Sequence, residues 1–251
     1  MDRNPTHKPD KDTEALCGHF TAAGAVFVTP AVELAAKLAD IRALVFDWDG
    51  VFNAGLKGHG QPNTFSEADS MGTNMLRYGL WRKAGRLPSS TLVSGEDNPT
   101  AIQFARREHF HNVYVGINDK RLALTHICST HDIEPRQIAC VFDDINDLGM
   151  AAMCGIRCLV QRPASPLLRQ YAIAQKLCDY TTANDSSHYA VREVCELLLG
   201  LLSNFDTVVA SRIAYDDSYR EFFAQRQAET TRVFIQQAGV IAQREHDEWP
   251  R

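Results

Sequence analysis

Four apolar runs in the chain end on residues that could do chemistry. Residues 42–46 lead into Asp47-Trp48-Asp49-Gly50, and residues 91–93 into Ser94-Gly95. Residues 112–115 precede a helical stretch that opens on Lys120, and residues 138–142 lead into Asp143-Asp144-Ile145-Asn146-Asp147. Carboxylates, a hydroxyl and one ammonium together suit phosphoryl transfer through an aspartyl-phosphate. A carboxylate must attack phosphorus. It repels the phosphate dianion, so a divalent cation with a preference for oxygen ligands is needed beside it. Asp47 is the candidate nucleophile, and Asp47 and Asp143 are candidate ligands for Mg²⁺, with Asp49 offering its backbone carbonyl. Alternation along an extended chain turns the Asp49 side chain away from the metal, free to act as general acid and then base. Ser94 and Lys120 suit the remaining phosphoryl oxygens as charge spreads over them. Gly50 and Gly95 allow the backbone to come close.

These residues meet only if the runs that carry them lie side by side. Short apolar runs at 42–46, 91–93, 112–115, 138–142, 156–160 and 177–181 read as buried strands. Helical spacing fills 32–40, 74–83, 100–107, 120–129, 147–153, 166–174 and 189–202. Strand and helix in alternation predict an α/β fold with a doubly wound parallel sheet in three layers. In such a fold ligands bind beyond the carboxyl ends of the strands, where the four clusters fall. Residues 1–30 read as an irregular arm, 31–202 as the catalytic domain and 203–251 as a helical extension that caps the core or mediates oligomerisation.

The string Asp47-Trp48-Asp49-Gly50-Val51-Phe52, followed in order by Ser94, Lys120 and Asp143 with Asp147, resembles the four motifs of the haloacid dehalogenase (HAD) superfamily of aspartate-nucleophile phosphatases. A closer resemblance covers about two thirds of the chain. Residues 41–55, the Asp69-Ser70-Met71-Gly72 step, Asn118-Asp119-Lys120, residues 142–147 and residues 190–195 are similar to the 3-deoxy-D-manno-octulosonate 8-phosphate phosphatase branch. That branch includes the phosphatase-like domain attached to some acylneuraminate cytidylyltransferases. The resemblance implies Asp47 as nucleophile, Asp49 as acid and base, Ser94, Gly95 and Lys120 around the phosphate, and Asp47, Asp49 and Asp143 at Mg²⁺. Asp147 and Asp144 would support the metal from behind its ligands. The implied activity is phosphomonoester hydrolysis on a small phosphorylated sugar of ulosonate or nonulosonate type, in a homo-oligomer, by resemblance a tetramer.

Spacing agrees. The intervals from Asp47 to Ser94, Ser94 to Lys120 and Lys120 to Asp143 are 47, 26 and 23 residues. None has room for a large cap, and residues 52–66 suit a small hairpin flap. Three positions depart from the branch. Glu96 stands where it usually has Arg, reversing a charge near the substrate and disfavouring an acidic sugar. Phe142 stands in place of Gly before the first Asp of the fourth motif, with its bulk beside the metal loop. Ser186–Tyr189 replaces a Gly-rich stretch at the substrate end. Glu96 and Arg192 are the candidate specificity residues, and Trp48 reads as packing. The departures also motivate an alternative, a catalytically weak HAD-like module with a regulatory or structural role. A phosphoryl-receiver domain fits poorly, because there the phosphorylated Asp comes from a later strand than the metal-binding acidic pair.

Composition narrows the partners. The formal net charge is −5 and the basic residues are scattered, which gives no footprint for nucleic acid or for an anionic membrane surface. No run reaches the length of a membrane span, and the first residues do not read as a secretory signal. Seven cysteines make an odd count that does not read as a disulfide framework, so a reducing, cytoplasmic setting is expected.

Overall fold

The computed structural model describes residues 11–58 and 64–244. Among the described residues nine strands form one sheet in the order β1-β7-β6-β5-β2-β3-β4-β8-β9. They are β1 (Val26–Phe27), β2 (Ala43–Asp47), β3 (Ser89–Val93), β4 (Asn112–Val115), β5 (Ile138–Phe142), β6 (Ile156–Leu159), β7 (Tyr180–Thr181), β8 (Arg232–Gln237) and β9 (Val240–Gln243). Every pair from β7 to β8 is parallel, while β1 and β9 run antiparallel at the two edges. β2, β3 and β5 are buried along their whole length, as strands covered on both faces must be.

Period-two alternation divides the core. Leu44 and Phe46 of β2 and Val141 of β5 face one layer, whereas Ala43, Val45, Cys140 and Phe142 face the other. The first layer holds α1 (Lys11–Ala23), α2 (Ala31–Leu38), α3 (Glu67–Ala84), α4 (Pro99–Arg107), α8 (Ala190–Leu201), α9 (Phe205–Ala214) and α10 (Asp217–Ala228). The second holds α5 (Lys120–His131), α6 (Leu148–Ala151) and α7 (Pro166–Ala174). The chain leaves β2 toward β3 and β4 on one side and returns to β5, β6 and β7 on the other. The crevice between β2 and β5 is therefore the topological switch point.

The expected three-layer α/β architecture is present, and its flanks differ from expectation. Residues 1–30 are not an irregular arm throughout. Residues 1–10 lie outside the described ones, but α1 is a helix whose Leu16 sits over Gly200 of α8, and Phe20 meets the edge of Tyr180. Residues 203–251 are not wholly helical. After α9 and α10 the chain forms β8 and β9, joined by Ala238 and Gly239, both at positive φ as a tight hairpin turn requires. β-branched and aromatic residues in Arg232–Gln237 suit a strand, and the open edge of β4 supplies its partner. Residues 59–63 of the expected flap lie outside the described residues. The described remainder of 52–66 has no strand, and Asn53 alone forms an isolated bridge, back to Asp49. All seven cysteines are free thiols. Among the described residues, no single helix is long and apolar enough to cross a membrane.

The C-terminal helices are fastened by burial and charge. Phe222 of α10 is fully buried against Tyr78 and Trp81 of α3. Buried Glu108 accepts hydrogen bonds from Ser70 (2.6 Å), Asn74 (2.8 Å) and Arg226 of α10 (2.7 Å). Truncation of Phe222 to Ala should cost about 3–5 kcal/mol in denaturant unfolding, the usual range for a buried aromatic. A merely attached tail would leave the midpoint unchanged.

A second buried carboxyl joins α3 to α8. Asp69 accepts the Arg192 amide at 2.8 Å, and burial pushes its pKa up to about 6 against the pull of Arg192. The folded chain thus holds this proton more tightly than the unfolded chain. The associated stability is present below about pH 4 and is lost as pH rises through about 6. Asp69→Asn should make the fall in stability between pH 4 and 6.5 shallower than in the parent. An unchanged slope, followed by chemical denaturation across that range, would show that Asp69 does not titrate there.

Candidate active site

Asp47 is the last residue of β2, at the switch point, and almost fully buried. Lys120 reaches it from the first turn of α5, with Nζ 2.5 Å from Asp47 Oδ1, and also donates to Asp147. Asp119 starts that helix by accepting the Arg121 amide with its side chain. A lysine in the first turn is disfavoured by the helix dipole, and here the two carboxylates supply the compensation. Asp147 in turn accepts the amides of Asp143 (3.4 Å) and Asp144 (3.2 Å), which folds the loop after β5 around it. Asp47, Asp143 and Asp147 thereby each bring a carboxylate oxygen within 4.8 Å of the others.

Three buried carboxylates so close do not all ionise easily. Burial raises the Asp47 pKa well above the ordinary carboxylate value, and Asp147 and Asp143 add to the rise while Lys120 opposes it. Asp143 is pushed up to about 6 by burial and by Asp147, against Arg162. Burial works against the charge on Lys120, but Asp47 and Asp147 outweigh it and raise its pKa. Oxygen donors with excess negative charge suit a hard divalent cation such as Mg²⁺, which would relieve this repulsion directly.

The cluster opens into a cleft of about 410 Å³ lined by Asp49, Lys57, Gly95, Glu96, Asn118, Asp144 and Arg162 among others. Asp49 lies outside the carboxylate triad, and its side chain pairs with Lys57 at 3.1 Å. Gly50, at φ +86°, donates its amide to the Asn53 carbonyl and turns the chain back over the site. Ser94 is buried at the end of β3, where its hydroxyl accepts the Glu96 amide at 3.2 Å. Glu96 stands at the mouth with its side chain 67% exposed, 3.6 Å from Lys57. Asp144 caps the turn leading into α6 and is half exposed.

The structure gathers Asp47, Asp49, Gly95, Glu96, Lys120, Asp143, Asp144 and Asp147 around one cleft and leaves Ser94, expected at the phosphate, and Arg192 out of its lining. The Arg192 guanidinium pairs instead with Glu196 of its own helix. Asp147, expected behind the metal ligands, stands in the carboxylate triad itself. Phe142 does not line the cleft, because strand alternation turns it into the core beside α5. Trp48 is buried and stacks on Phe52, as a packing residue does. Two cleft cations were missing from the sequence-based set. Arg162 follows β6 by three residues and obeys the same strand-end rule that located the others. Lys57 lies in a loop with no periodic signal.

No family model matches the chain. It is 28% identical over 163 residues to the 3-deoxy-D-manno-octulosonate 8-phosphate phosphatase of Yersinia pestis, spanning 65% of this chain and 82% of that protein. The solved structure of the Yersinia pestis enzyme superposes with a TM-score of 0.58 at 26% identity, covering 69% of this chain and 89% of the other. The Moraxella catarrhalis phosphatase of the same name, solved in complex with a magnesium ion, a phosphate ion and a KDO molecule, gives a TM-score of 0.59 at 24% identity over 71% and 97% of the two chains. Fold and sequence thus resemble HAD-superfamily phosphatases.

Gly50 is where this site tolerates no side chain. A Cβ there would collide with Asp143 Oδ2 and Arg162 Nη2, on a backbone that favours glycine. Gly50→Ala should destabilise the chain by about 1–2 kcal/mol through the positive φ alone. Unfolding midpoints equal to those of the parent would show that the loop adapts.

Proposed function

We propose that this HAD-type phosphatase hydrolyses the phosphomonoester of a small phosphorylated sugar, with Asp47 as the nucleophile. The observation that carries this reading is the buried cluster of three carboxylates at the β2–β5 switch point, two of which, Asp47 and Asp147, pair with the Lys120 ammonium. Likeness to octulosonate 8-phosphate phosphatases supports the substrate class.

In the proposed reaction an Asp47 carboxylate oxygen attacks phosphorus, and the bond from phosphorus to the sugar oxygen breaks. Asp49, two residues on, gives its proton to the departing alkoxide. It then takes a proton from the water that attacks the aspartyl-phosphate, which releases inorganic phosphate and restores Asp47. Lys57, 3.1 Å from Asp49, keeps this side chain at the mouth side of the cleft between the two steps. Lys120 and the Gly95 backbone face the phosphoryl oxygens as charge moves onto them. Asp47 and Asp143, with Asp147 beside them, would hold Mg²⁺, whose charge would offset that of nucleophile and phosphate. Glu96 and Lys57 form a paired mouth, so the entrance offers a sugar both an acceptor and a donor in place of a single positive charge.

Phosphate release from a panel of sugar phosphates, octulosonate 8-phosphate and an aryl phosphate tests the reading. Turnover should require Mg²⁺, stop with EDTA and fall by at least about a thousandfold in Asp47→Asn, as expected for loss of a nucleophile. A folded parent chain that releases no phosphate from any of them would overturn it.

A further inference from the structure

Arg162 has no part in the reaction as drawn, yet it pairs with Asp143, one of the carboxylates proposed to hold the cation. Asp143 has a side chain only 2% exposed, and its Oδ2 accepts from Arg162 Nη2. The guanidinium also lies 3.9 Å from Asp144 and lines the same cleft. The meeting point is built into the backbone. The space shared by Asp143 Oδ2 and Arg162 Nη2 is the space a side chain at Gly50 would fill. Lys120 answers Asp47 and Asp147, and Arg162 answers Asp143, so each carboxylate of the triad already has a positive partner.

We propose that Arg162 is an internal counter-ion that a divalent cation must displace from Asp143, and that it thereby sets the cation affinity of the site. This rests on the reading of Asp143 as a cation ligand. A guanidinium and a divalent cation drawn to one carboxylate repel each other in a setting where water screens them poorly. Arg162 is able to yield, because its side chain is 39% exposed and sits on a loop between β6 and α7. Asp143 is not, because it is buried and its backbone amide is held by Asp147. Cation binding therefore moves the arginine and leaves the carboxylate in place.

The test is Mn²⁺ binding to the full chain without substrate, followed by electron paramagnetic resonance and by calorimetry. Arg162→Gln removes the charge and keeps hydrogen-bonding capacity, Arg162→Lys keeps the charge, and Asp143→Asn removes the ligand. Arg162→Gln should bind Mn²⁺ about tenfold more tightly than the parent, as expected when a neighbouring positive charge is lost. Arg162→Lys should stay close to the parent, and Asp143→Asn should lose binding. Unchanged or weaker binding in Arg162→Gln, with Asp143→Asn still defective, would overturn the counter-ion and leave the cation site standing. Absence of Mn²⁺ binding in both the parent and Arg162→Gln would overturn the cation site and the counter-ion together.

Discussion

Three carboxylates crowded into a buried space repel one another, and that repulsion organises the molecule around it. Asp47, Asp143 and Asp147 come within 4.8 Å only because β2 and β5 are neighbours in a parallel sheet. Such a cluster is stable only with positive charge at hand. Lys120 supplies it from the start of α5, a place where a helix would otherwise disfavour a cation. The loop after β5 is wound so that Asp147 receives two backbone amides while facing Lys120. Sheet order, helix start and loop conformation thus answer one electrostatic demand. Three carboxylates still outnumber Lys120 and Arg162, and this excess of negative charge is what the proposed cation would offset.

The flanking segments complete the sheet that holds this arrangement. β1 closes one edge on β7, and β8 closes the other on β4, each from outside the central motif-bearing region. β8 also reaches the site. Gln236 accepts the amides of Asn118 (2.9 Å) and Asp119 (3.4 Å), in the loop that presents Lys120. α10, which precedes that strand, is docked by Phe222 against α3 and by Arg226, whose partner Glu108 lies between α4 and β4. The extension therefore stabilises the loop carrying the central cation and is more than a cover for the core.

At the mouth the charge pattern is a set of pairs. Lys57 lies between Asp49 and Glu96, and Arg162 between Asp143 and Asp144. A negative Glu96 alone would repel an anionic sugar. With Lys57 shared between Glu96 and Asp49, the entrance presents a donor as well as acceptors.

The chain's short-range patterns determined a good deal. Apolar runs ending in Asp47, Ser94 and Asp143 marked the central strands, since a strand covered on both faces must be apolar throughout. Their spacing placed Lys120 and Asp147 with them, because each needs only its own strand and helix to be positioned. Alternation likewise separates Phe142 from the cleft, although its proximity in sequence to Asp143 suggested interference. What only the tertiary structure decided involves partners distant in the chain. Arg232–Gln237 becomes a strand because β4 has an open edge, a fact absent from the local sequence. Lys57 and Arg162 reach the cleft because a loop and a strand end arrive there independently, and Arg192 stays outside because α8 points it along its own helix. Charge pairing across the fold depends on distances that no local pattern encodes, and so the acidic residues were legible from sequence while most of their partners were not.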